Sequence, residues 1–157
     1  MTRRAAFALA VAALFASPLA SAGDAKGTVA YKGRTLEVKH AFLVTTKDAM
    51  SGKPMRRVIL APKDIGAKIA SCAKMSCVDG DLDDGLEVDF VEGPRLNYWL
   101  VMNGQKVQYS GTEPKESLAP TANDPKKVAG TLKFDKTAAG GPKVDVTFDA
   151  SFAKDLQ

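Results

Sequence analysis

Apolar and polar residues alternate with period two along most of the chain, the signature of strands that bury one face. Residues 27–31 and 34–45 flank Lys32-Gly33, a two-residue connection suited to a tight hairpin in which Gly supplies positive φ. Counting outward from that turn sets Tyr31 against Arg34 and Val29 against Leu36. It also gathers Leu36, Val38, His40, Phe42 and Val44 on one face of the second strand. A loop over 47–54 leads to a short apolar strand over 56–60. Leu86, Val88 and Phe90 then alternate with Glu87 and Asp89 in a strand that stops at Gly93-Pro94. The strongest local signal follows, with residues 95–102 and 105–110 flanking Asn103-Gly104, a pair that favours a type I′ turn. Register from this turn opposes Leu100 with Val107 and Tyr98 with Tyr109. Leu96, Tyr98, Leu100, Met102, Val107 and Tyr109 therefore share a core face.

Residues 111–127 read as a loop, because Pro114, Pro120 and Pro125 interrupt regular structure. Strands over 128–134 and 144–150 complete the pattern. Only after Pro62 does the period change: Ile65, Ile69 and Cys72 recur at helical spacing with Asp64 in the first turn. About seven strands and one short helix predict a mainly β fold. The expected architecture is an antiparallel β-sandwich or short barrel, with the helix capping one open end or covering an edge.

The start of the chain changes the picture of where this fold works. Arg3 and Arg4 precede an apolar run over 5–16, and Ala20-Ser21-Ala22 forms a small-x-small site before Gly23. These are the parts of a secretory signal peptide over 1–22, and the apolar run is too short for a membrane span. The expected mature chain, 23–157, is a single domain that is periplasmic or secreted. Removing 1–22 takes away two Arg and no acid, lowering the net charge from +4 to +2. That balance, with no basic stripe, argues against nucleic acid. No later apolar run approaches spanning length, so no stable membrane insertion is expected after signal cleavage.

Two cysteines in an exported chain are expected to bond. Cys72 and Cys77 lie five apart, and on a continuous helix they would point some 140° away from each other. A bridge therefore requires the helix to end near Cys72 and the chain to turn back.

Candidate chemistry is sparse. His40 is the single His, and its parity places it in the core rather than at a site. No Gly-x-Ser-x-Gly elbow accompanies it. Asp79, Asp81 and Asp83 match the first three ligand positions of an EF-hand loop, but the sixth position is Asp84 and the twelfth is Phe90. An irregular Ca²⁺ site over 79–89 is one reading, and a solvated turn leading into a strand is the other. Trp99, the single Trp, shares a face with Asn97 and Val101 and is expected opposite Gln108. It is either covered or the anchor of a recognition patch. Arg56 and Arg57 open a strand on opposite faces, so at most one can address a ligand.

Gly27-Thr28-Val29-Ala30-Tyr31-Lys32-Gly33, His40-Ala41, Ala129-Gly130-Thr131-Leu132 and Val144-Asp145-Val146-Thr147-Phe148 resemble small exported bacterial β-rich proteins without assigned activity. The resemblance implies a compact all-β domain in the periplasm or outside the cell, and supplies no catalytic residues. The expected function is a non-enzymatic binding or interaction module of the cell envelope, an inhibitor or accessory of a secreted partner, with no cofactor. A Ca²⁺-dependent structural or binding protein is the second reading, and an unrecognised hydrolase the third.

Overall fold

The computed structural model describes residues 22–48 and 51–157. The expected signal peptide thus lies outside the described residues, apart from Ala22. The elements in chain order are β1 (Gly23–Tyr31), β2 (Arg34–Lys47), β3 (Pro54–Ala61), α1 (Gly66–Ser71), α2 (Met75–Asp81), β4 (Gly85–Phe90), β5 (Arg95–Met102), β6 (Gln105–Pro114), β7 (Leu118–Asp124), β8 (Lys127–Asp135) and β9 (Lys143–Asp155). The nine strands form one sheet in the order β6-β5-β4-β3-β2-β1-β9-β8-β7. Neighbours in that order run antiparallel, and the far end of β9 also pairs in parallel with β2. The mainly β, antiparallel expectation holds. Seven strands become nine, and one helix becomes two short ones. No helix among the described residues is long and apolar enough to cross a membrane.

The sheet curls on itself. Rings of Tyr98 on β5 and Phe134 on β8 approach to 4.9 Å between centroids, although five strands separate β5 from β8 in the sheet order. The concave side carries the larger core, with Val29, Leu43, Val58, Leu60, Leu86, Leu100, Leu132 and Val146 all buried there. No ladder joins the two edge strands β6 and β7. Side chains reach β6 across the concave side from β1 and from the β8–β9 connection. Tyr31 Oη donates to the carbonyl of Gln108 (3.3 Å), and Lys136 Nζ lies 3.0 Å from the buried carboxylate of Glu113.

The convex side of the central strands carries a second core. Phe42, Val44, Ile59, Ala61 and Val101 pack there against Ile69, Cys72, Met75, Val78 and Leu82 from the helical segment and Leu156 from the C-terminus. The helices therefore lie on the outer face, where the sequence pattern placed a helix at an end or an edge. At 6 and 7 residues, with no side-chain cap at either N-terminus, they are too short to stand without this packing. Asp64 sits just before α1 and its Oδ1 accepts the Gly66 N–H (2.8 Å). As expected, α1 ends at Ser71, Cys72 turns extended, and the chain folds back into a Cys72–Cys77 disulfide with Cα atoms 5.6 Å apart.

Coverage on both faces explains where simple alternation misleads. Residues 41–44 of β2 are buried in succession. Leu36, Val38, Ala41 and Leu43 face the concave core, while Phe42 and Val44 face the helices. The face assignment slips by one residue around Lys39 and His40, so the single face drawn through Leu36 and Val44 does not exist. His40 is only half-buried and belongs to neither core.

The hairpin turns have the expected geometry, with φ of 47° and 79° at Lys32-Gly33 and of 63° and 65° at Asn103-Gly104. Register is as expected beside the first turn, Tyr31 with Arg34 and Val29 with Leu36. Beside the second it slips by two. Met102 still opposes Gln105, but Leu100 meets Tyr109, and Tyr98 meets Gly111. Val107, expected in the core, is half exposed. The slip preserves parity and has a steric reason: a Cβ at Gly111 would sit 2.6 Å from Tyr98 Oη. Only a residue without Cβ fits opposite the Tyr98 ring.

The expected loop over 111–127 contains the end of β6, a short 3₁₀ turn and edge strand β7. Pro120 is tolerated because β7 has a neighbour on one side only, and the ladder is irregular between Pro120 and Ala122.

Candidate functional site

Two constellations stand out, on opposite faces of β3, and adjacent arginines reach them. Arg56 and Arg57 do point to opposite sides of the sheet. Arg57 faces the convex side, where its register partner is Asp89 on β4, and Glu87 on β4 lies beside Trp99 on β5. The guanidinium bonds Asp89 through Nε and through Nη2 (2.8 Å), Glu87 Oε2 through Nη1 (3.0 Å), and reaches Asp79 Oδ1 on α2 at 3.5 Å. Its Cζ lies 5.1 Å from the centroid of the Trp99 ring. The side chains of Glu87 and Asp89 are only 6% and 2% exposed.

Three carboxylates against one guanidinium cannot all hold their charges without cost in so dry a place. Burial pushes the Glu87 carboxyl up to about 8, opposed by Arg57 and reinforced by the charge of Asp79 and a hydrogen bond with it. Asp89 is also raised, chiefly by burial and against the pull of Arg57. Glu87 Oε1 is buried with no donor facing it, an arrangement suited to a carboxylic acid sharing its proton with Asp79. Arg57 fills the middle of this cluster. It ties β3, β4 and α2 together.

The sequence-named residues fall around this cluster without assembling as expected. Trp99 is half-buried and its cross-strand partners are Glu87 and Ser110. The two-residue slip moves Gln108 away from it. Val101 is buried beneath the helices, and Asn97 pairs with Asp89 and Thr112. Asp79 and Asp81 belong to the last turn of α2, where the sequence suggested a loop or turn. Asp79, Asp81 and Asp83 each engage a different cation: Arg57, Lys68 (3.0 Å) and Lys63 (3.7 Å). Among the described residues the cluster of metal-ligand type is Cys72, Cys77 and Asp81, and its two sulfurs are bonded to each other.

Arg56 faces the concave side. There the curled sheet has an open mouth, a cavity of about 380 Å³ bordered by Arg56, Phe90, Leu96, Lys115, Leu118 and Pro120. Its apolar floor is the end of the main core, since Leu96 and Leu118 are buried members of it. Arg56 stands over the Phe90 ring at 5.5 Å. It donates to the carbonyl of Asp124 (2.7 Å) and to Asn123 Oδ1 (2.8 Å), joining the middle of the sheet to its β7 edge. Sequence reasoning missed this cavity because one wall, 115–120, read as loop. The usable signal was Leu118, an isolated apolar residue among prolines and charges.

No protein-family model, curated protein or solved structure matches this chain.

Proposed function

We propose that this protein is an exported, non-enzymatic binding module of the bacterial envelope that takes its ligand in the mouth of a short, side-chain-closed barrel. The observation that carries the reading is the cavity between Arg56, Phe90 and Leu118. Ligand sites are typically concave, of some 300–1,000 Å³, mostly apolar with a few placed polar groups, and the mouths of barrels are a recurrent location. The disulfide, which tethers the helical segment on the opposite face, suits an oxidising compartment. The Trp99 face is the weaker candidate, because its polar groups are spent on one another.

A neutral environment-sensitive dye such as Nile red tests the site. The mature protein is expected to bind it with a blue-shifted emission. Leu118→Trp, which fills the mouth, is expected to weaken binding at least tenfold, and Phe90→Trp to do the same from the facing wall. Dye binding that both variants leave unchanged, at unaltered melting temperature, would remove the mouth as the site.

A further inference from the structure

We infer that the mouth cavity selects small amphipathic carboxylates, an alkyl or aryl body carrying one anionic head; this rests on the binding reading above and adds to it the chemistry of the ligand. The argument starts from Arg56. Its guanidinium has five N–H donors, and the acceptors that hold it are a backbone carbonyl and an amide oxygen, both neutral. Among the described residues no carboxylate pairs with it, in contrast to Arg57, which touches three. The sheet thus places two neighbouring arginines in opposite electrostatic settings. One is more than neutralised within the fold. The other keeps its charge, is fixed in orientation by Asn123, Asp124 and the Phe90 ring, and has donors to spare at the edge of an apolar cavity.

The rest of the rim agrees with an anionic head. Lys115 adds a second positive charge beside the cavity. Glu92, also on the rim, is already bonded to Lys53 (2.9 Å). Glu116 alone adds uncompensated negative charge, so the balance is positive by one. A carboxylate meeting a guanidinium already locked in place gains charge-assisted, bidentate hydrogen bonds at little entropic cost. Leu96, Leu118 and Phe90 then supply the surface on which the body loses water.

The test is calorimetric titration of the mature protein at neutral pH with butanoate, hexanoate, octanoate and decanoate, and with octanol and octylammonium as head-group controls. Affinity is expected to rise about fourfold per buried methylene until the cavity is full. Octanoate is expected to bind at least tenfold more tightly than octanol, and Arg56→Gln to remove that advantage while leaving octanol binding intact, which shows that the cavity survives the substitution. Equal binding of octanoate and octanol, unaffected by Arg56→Gln, overturns the carboxylate assignment while the mouth remains a binding site. Preference for octylammonium also overturns it. Failure of every probe to bind the folded protein overturns both. A peptide ending in leucine that displaces octanoate at much lower concentration overturns the small-molecule class.

Discussion

Arg57→Met is expected to cost about 3–5 kcal/mol of folding stability, most of it from the carboxylates it strands rather than from contacts it loses. Asp89 and Glu87 are nearly inaccessible to water, and without the guanidinium each must hold an unpaired charge or take up a proton. Arg57→Lys is expected to recover only part of the loss, because an ammonium cannot serve Asp89 through two parallel bonds and reach Glu87 as well. Replacing Arg57→Met together with Asp89→Leu is expected to be less costly than Arg57→Met alone, since the most deeply buried charge leaves with its partner and Glu87, the buried carboxyl that remains, favours its neutral form. Urea denaturation of the three variants measures this. A loss below about 1 kcal/mol for Arg57→Met, the range of exposed ion pairs, would mean that the cluster is wetter than its geometry implies.

The same cluster makes stability depend on pH in an unusual direction. Glu87 ionises near 4.5 in the unfolded chain and near 8 in the fold, where burial favours its neutral form. A group raised in this way contributes stability that is complete below about 4.5 and is lost as pH rises through about 8. Asp89, raised for the same reason, acts with the same sign. Asp135 opposes them, lowered to about 2 by its bonds from Thr137 and Lys143, but that loss falls at far more acidic pH. The expected result is a fall of roughly 2–4 kcal/mol in unfolding free energy between pH 5 and pH 9. Glu87→Gln should flatten the profile and raise stability at the alkaline end, because an amide can accept from Arg57 and donate toward Asp79 without ever charging. A wild-type profile that is flat or rises over this window contradicts the account.

Much of the fold was legible in the sequence because two turns announce themselves. Lys32-Gly33 and Asn103-Gly104 anchor hairpins, and the first carries its register correctly outward as far as Gly27 opposite Val38. The second does not, since a steric demand far from the turn, the Tyr98 ring against Gly111, decides the pairing there. A steric demand of this kind leaves no mark within a window of local alternation. The disulfide was legible from the two cysteines and their spacing in a chain read as exported, and the break of the helix at Cys72 followed from it. What stayed hidden has one physical cause, which is that the central strands are covered on both sides. Phe42 and Leu43 are both buried, in different cores, so alternation stops reporting which residues face water. Glu87 and Asp89 read as an outward polar face and are instead enclosed with Arg57. The edge strand β7 was obscured by its prolines, and with it went one wall of the mouth. Arg56 and Arg57 were correctly assigned to opposite faces, but their different company, neutral acceptors for one and carboxylates for the other, comes from strands and hairpins distant in sequence.

The central claim is that ligands enter the open end of the curled sheet, on the concave side. Methyl carbon-proton spectra of residues 23–157 during titration with octanoate test it most directly. The predicted result is progressive shifts at the methyls of Leu96, Leu118 and Val91, which all border the mouth, with those of Val101, Ile59 and Val78, on the Trp99 and helix side, unmoved. Shifts centred on that second set, with the mouth methyls unmoved, would contradict it.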